Sequence, residues 1–435
     1  MDQALEKQTI AKISWRLLPL IVVIYFVAYI DRTNVGFAAF GMNKELGFTA
    51  YIYGWGAGIF FLGYFIFEVP SNVILVKVGA RRWIARIMIT WGLVAGAMAF
   101  TAGPISFLTL RFLLGAAEAG FFPGIILYFT FWFPKVYRAR VIAALFLAVP
   151  GSNAVTAVLS GALLQLDGFM GVAGWKWLFM LEAVPSVLLA FVVLAVMTDR
   201  PALAAWLKPE ERNWLETELE KERRDLEAGH GSLTLFQALT DRRVLALSLI
   251  YMSIVTATYG ITFFLPLIVK GAGLSDAKTG IVTAIPYVIG TVGMVLWSFS
   301  SDRRKERRWH FITACVVAAT GLLVAGWLGG SYWALAAMSL ATVGLYGSKP
   351  AFWPLPSEFL SGKGAAGGIA LVNSIGNLGG FAGPYVVGWL KDSTGTYQAG
   401  LYFLAGCALL SGVIAFFTVH RAPAARLSFS SNVRS

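Results

Sequence analysis

Charge is scarce in this chain. Asp, Glu, Lys and Arg together make up 13% of its 435 residues, about half the share of a soluble globular protein. Histidine occurs three times and cysteine twice. Two cysteines exclude a disulfide framework. Both, Cys315 and Cys407, lie inside apolar runs, where a free thiol packs as a small core residue. His230, His310 and His420 fall in loops or at the ends of runs with no metal-ligand spacing, so no metal and no other cofactor is expected. A membrane enzyme would need a nucleophile, a metal or an acid–base cluster, and none stands out. No cleavable signal peptide is expected, because no short apolar core with a small-residue cleavage site follows Met1.

Apolar residues supply what is there: 57% of the chain, with a mean hydropathy of +0.70. Twelve runs near the ~20 residues of a spanning helix lie at 16–41, 52–76, 83–103, 106–133, 141–165, 176–197, 244–269, 279–300, 310–328, 332–356, 366–390 and 397–419. They are continuous, whereas a membrane β-barrel alternates over segments of about ten residues. The fold class is therefore an all-α polytopic membrane protein with twelve transmembrane helices.

The net charge of +12 suggests nucleic acid at first sight, but its distribution is topological. With both termini cytoplasmic, 27 of the 35 Lys and Arg fall in cytoplasmic segments. Five (Lys44, Lys176, Lys270, Lys278 and Lys391) face the far side, and Arg32, Arg111 and Lys349 are intramembrane. The positive-inside rule then places the N- and C-termini in the cytoplasm. The bilayer is the expected partner, and nucleic acid is not.

Ala80-Arg81-Arg82-Trp83 recurs as Glu306-Arg307-Arg308-Trp309, and Gly161 and Gly168 are echoed at nearly the same offset by Gly388 and Gly395. Two matches at one spacing suggest two homologous six-helix bundles, 1–198 and 244–421. Such parallel repeats place a substrate site between them near the midplane. Residues 199–243 read as a cytoplasmic linker with an amphipathic helix, expected to be solvated, and 422–435 as a disordered tail.

Ionisable residues interrupt the runs. Asp31 and Arg32 break the first, Arg111 and Glu118 the fourth, and each unpaired charge at mid-membrane costs roughly 2.5–3.5 kcal/mol. Such residues pair, line a wet cavity or handle a substrate, which points to a transporter with a polar pathway. Arg111 and Glu118, two turns and about 10 Å apart on one helix face, are expected to share a cavity. Burial away from water favours the neutral form of a carboxyl group, which suits Asp31 and Glu118 to carrying protons. Guanidinium groups suit a carboxylate substrate, because they stay charged and bind bidentately. Lys349 either snorkels or adds a third cation for a dianion. Tyr64, Asn153, Trp353, Asn373 and Asn377 can orient a substrate or bond a neighbouring helix. Glu68 is expected to pair with loop arginines.

Several motifs resemble the major facilitator superfamily and, within it, the anion:cation symporter family. They are Asp31-Arg32; Asn72 to Gly79-Ala-Arg-Arg-Trp83; Arg111-x3-Gly115-x2-Glu118-Ala-Gly120-x2-Pro123-Gly124; and Ile369-Ala-Leu-Val-Asn373-Ser-Ile-Gly-Asn377 to Pro384. The last looks most like the tartrate, phthalate and hydroxyphenylacetate branch. The resemblance implies proton-coupled symport of a small organic carboxylate (tartrate, phthalate, a sugar acid or an aromatic acid) into the cell across the inner membrane, by a monomer. It implies Asp31 and Glu118 as proton-coupling residues, Arg32 and Tyr64 as substrate contacts, Arg111 as the partner of Glu118, and Asn373 or Asn377 as the contribution of the second half. An efflux carrier or facilitator on the same scaffold, or a non-transporting sensor, are the alternatives.

Overall fold

The computed structural model describes residues 2–228, 241–304, 306–329, 331–359 and 363–418. Among them are helices and short helical turns and no strand. The first half comprises α1 (Asp2–Thr33), α2 (Val35–Leu46), α3 (Ala50–Val78), α4 (Ala80–Ala97), α5 (Pro104–Glu118), α6 (Phe121–Trp132), α7 (Lys135–Leu163) and α8 (Gly174–Val196). The linker helix is α9 (Pro209–Ala228). The second half comprises α10 (Arg242–Lys270), α11 (Asp276–Arg304), α12 (Arg308–Leu328), α13 (Trp333–Phe352), α14 (Pro354–Phe359), α15 (Lys363–Asn377), α16 (Gly379–Thr394) and α17 (Gln398–Thr418). Ten segments of the described residues are long and apolar enough to span a membrane by themselves. The pairs α1–α2 and α5–α6 each count as one of these; the other two crossings are α13 with α14 and α15 with α16. The result is two six-helix bundles. The start of α1, α9 and the end of α17 share one face, here the linker face; the opposite one is the far face.

Four of the twelve expected runs are interrupted, at Asn34, Ala119–Gly120, Trp353 and Leu378. The sharpest break is at Gly120, whose φ of +82° favours a residue without Cβ. Small residues also let α3 and α5 touch. A Cβ on Gly115 would overlap the carbonyl of Phe60, so only glycine permits this approach.

The first helix starts at Asp2, well before its apolar run. Its polar stretch is not idle. Ile10 and Ile13 are buried, Lys12 pairs with Glu211 of α9 at 2.7 Å, and Tyr137 donates to Glu6 at 2.7 Å. Glu222 of α9 receives Arg138 at 2.6 Å, and Leu215 is fully buried. The linker helix expected to be solvated is docked on the first bundle, because these ion pairs and its apolar stripe find partners there. Of the linker, 229–240 lie outside the described residues, as do the tail 422–435, His230 and His420.

Candidate functional site

Asp31 and Arg32 occupy the last turn of α1, and adjacent helical residues point about 100° apart. Arg32 turns to the seam between the bundles. It forms a short ion pair with Glu118 and donates to the Tyr259 hydroxyl of α10 at 3.2 Å. The Tyr29, Phe60 and Tyr64 rings surround its guanidinium at 4.7, 5.1 and 5.6 Å, within the range of cation–π attraction. Asp31 turns the other way, into the first bundle. It accepts from Trp91 Nε1 at 2.9 Å and from the Ser186 hydroxyl, and its Oδ1 has no partner.

A central cavity of about 50 Å³ lies beside Arg32. At about 10–15 Å³ per water by this measure, it holds only a few waters. Arg32, Tyr29 and Tyr64 line it from the first bundle; Tyr251, Tyr259, Lys349, Asn373 and Asn377 line it from the second. Lys349 ends α13, where the helix dipole favours a cation. Its Nζ lies 5.1 Å from the Tyr346 ring, and no carboxylate of the described residues pairs with it.

Several expectations need correction. Arg111 is fully buried but neither lines the cavity nor pairs with Glu118. It donates to the carbonyls of Gly56 and Ala57 at 3.1 and 3.2 Å, because the glycine-lined approach of α5 to α3 brings that backbone within reach. Glu118 therefore takes Arg32, and it meets the cavity through that residue. Asp31 is also off the cavity. Asn153 is a tie: it donates to the Tyr346 hydroxyl of the other bundle at 2.8 Å and accepts from Thr33 at 3.3 Å. Trp353 stacks on Phe146 across the seam at 6.3 Å, forming a cover and not a lining residue. Glu68 does not meet loop arginines. It accepts from Asn373 at 3.2 Å and Ser374 at 3.0 Å, both from the other bundle.

Of the cavity tyrosines only Tyr64 is among the expected site residues; Tyr25, Tyr29, Tyr251 and Tyr259 join it in the lining. Tyr25, Tyr29 and Arg32 follow one another at helical spacing on one face of α1, and that pattern marks the lining. Tyr251 and Tyr259 carry no comparable signal.

A sequence profile of the Major Facilitator Superfamily matches residues 21–384. The chain belongs to that superfamily. A protein of Agrobacterium vitis named "Putative tartrate transporter" is 50% identical over 97% of this chain and 93% of its own length. The quinolone resistance transporter of Acinetobacter baumannii is 42% identical over 95% of each chain. A Pseudomonas putida protein named "Putative metabolite transport protein NicT" is 40% identical over 93% of each. These relatives are consistent with the anion:cation symporter branch. Among solved structures, the inward-open xylose transporter XylE of E. coli superposes with a TM-score of 0.74 at 14% identity, covering 94% of this chain and 97% of its own. A bacterial homolog of the lysosomal transporter Spinster gives 0.72 at 18% identity, over 94% and 95%. These structural likenesses bear on the fold alone. The chain is thus a multi-pass membrane transporter and not an enzyme.

Proposed function

We propose that this transporter is a proton-coupled symporter that takes up a small organic dicarboxylate of the tartrate class. It works as a monomer in the inner membrane, with both termini cytoplasmic. The halves 1–198 and 244–421 rock about the central cavity, with α9 bracing the first. The observation that carries the reading is the cation pair at the cavity. Arg32 is occupied by Glu118, while Lys349 stands across the seam with no carboxylate of the described residues paired to it. A proton on Glu118 releases Arg32, so one substrate carboxylate takes Arg32 and the other takes Lys349. Tyr64, Asn373 and Asn377 complete the lining; Arg111, Asn153 and Trp353 hold the walls.

Charge arithmetic supports two proton sites, Asp31 and Glu118. Each charge moved across 100 mV is worth about 2.3 kcal/mol, so a dianion entering a negative interior alone faces twice that. Two protons cancel it. The name of the Agrobacterium vitis relative supports the substrate class.

Uptake of labelled tartrate by proteoliposomes under an inward proton gradient tests the reading. Arg32→Gln is expected to abolish uptake. Lys349→Met is expected to lower tartrate affinity about tenfold, a loss of about 1.4 kcal/mol, with little effect on a monocarboxylate of similar size. Equal loss for both acids would refute the dicarboxylate assignment, and gradient-independent accumulation would refute symport.

A further inference from the structure

Asp31 has left the cavity, so a proton on it must be supplied from within the first bundle. The groups around it form a string. On α8, Glu182 and Ser186 are one turn apart; at the end of α1, Asp31 and Asn34 are one turn apart. The two pairs face each other. Ser186 bonds Asp31. The Asn34 carboxamide lies beside the Glu182 carboxyl without a formed hydrogen bond. Glu182 Oε1 accepts from Ser160 of α7 at 2.7 Å.

These side chains are buried, Glu182 at 3% and Asn34 at 1% exposure. Yet Glu182 Oε2, both polar atoms of Asn34, and Asp31 Oδ1 have no partner. Buried polar atoms are almost always bonded to protein or to water. Four such atoms in one string leave donors and acceptors to be met by one another or by bridging water. Among the described residues, Asp31 is the ionisable group that acts on Glu182. Among elements packed on α8, α4 presents Trp91 here, α7 presents Ser160, and the ionisable groups of α2, Lys44 and Glu45, lie at its far end. Glu182 sits about 12 Å along α8 from the far face, nearer that face than Ser186 and hence Asp31.

We infer that Glu182 is a third proton-carrying carboxyl of this transporter, exchanging a proton with Asp31 through Asn34 and bridging water. The proton leaves Glu182 as its O–H bond breaks, and Asp31 gains an O–H bond. The Glu182 carboxylate is reprotonated from water on the far side. This rests on the reading that Asp31 carries a proton.

Tartrate uptake by proteoliposomes tests it, with Asp31→Asn beside Glu182→Gln. Glu182→Gln is expected to leave tartrate–tartrate exchange without a gradient within about twofold of wild type. Proton-driven uptake should fall about tenfold or more, the low end of what a positioned proton carrier contributes, with a shifted pH profile. Glu182→Asp should restore part of it. The double variant should be no worse than Asp31→Asn, since both act on one path. If Glu182→Gln keeps the wild-type rate and pH profile while Asp31→Asn abolishes driven uptake, Glu182 is structural and the inference fails. If wild-type uptake ignores the gradient, the symport reading itself fails. If Glu182→Gln does not fold, Asn34→Leu, which cuts the string and keeps both carboxyls, is judged by the same outcomes.

Discussion

At the far end of the seam, α3 and α16 meet glycine against backbone. A Cβ on Gly54 would overlap the carbonyl of Pro384, and one on Gly388 the carbonyl of Ala50. Asp392 caps the start of α3 by accepting from the Ala50 and Tyr51 amides at 3.1 and 2.8 Å. Gly161 of α7 lies similarly close to Asp276 and Gly280 of α11. At the linker end the same seam is held by side chains: Glu68 with Asn373 and Ser374, and Phe146 on Trp353. Backbone-to-backbone packing tolerates no added atom, whereas a few side-chain hydrogen bonds are worth about 1 kcal/mol each. The linker end is therefore the cheaper one to open from this state, and the far end is the one whose closure depends on residue size.

Gly388→Val should have the largest effect. Overpacking costs about 1–3 kcal/mol, so the initial rate of tartrate uptake per reconstituted protein should drop about tenfold or more. An unchanged rate would mean that far-end closure is not part of the cycle. Glu68→Gln should act more mildly and in the opposite sense. Weakening this contact by about 1 kcal/mol, one ordinary hydrogen bond, should let a cysteine placed at Val149, on the cavity wall, be alkylated about fivefold faster from the linker side. No change there would show that Glu68 does not hold this end shut.

Glu306→Gln serves as the control away from the seam. Glu306 lies between α11 and α12 and accepts from the Trp309 and His310 amides at 2.7 and 3.0 Å and from His310 Nδ1 at 2.8 Å. Partial burial pushes its carboxyl up, but these donors outweigh that and leave it below the ordinary carboxylate value. With the folded value depressed, its stabilisation is present above the unfolded carboxylate value and fades as pH falls through the folded one. The variant should lose about 0.5–1 kcal/mol near pH 7, at the low end because the site is partly solvated. Melting in detergent should show a gap between the two proteins that closes in acid, with transport unaffected. A gap that persists in acid would contradict the assignment.

The same contrast explains what could be read in advance. Of the far-end glycines, Gly54 is visible in the run Gly54-Trp-Gly-Ala-Gly58, and the use of such runs in close packing is a general property of membrane helices; Gly388 stands apart from any glycine run. The Glu68 trio is not visible, because Glu68 and Asn373 are 305 positions apart and each has a bland local reading. Arg111 and Glu118 were rightly placed on one face of one helix, but helical spacing says nothing about which neighbour passes closest. The approach of α3 gave Arg111 two carbonyls and left Glu118 to Arg32.

From amino-acid order alone came the number of crossings, the intramembrane position of Asp31, Arg32, Arg111, Glu118 and Lys349, and the basic bias of one face. Those follow from hydropathy and charge, which are local sums along the chain. Tertiary structure alone decided that Asp31 turns from the cavity while Arg32 enters it, that Lys349 stands on the cavity wall, and that α9 is docked. Each depends on how helices rotate and how closely their backbones pass, and a rotation of one residue, 100°, moves a side chain from a cavity to a bundle core.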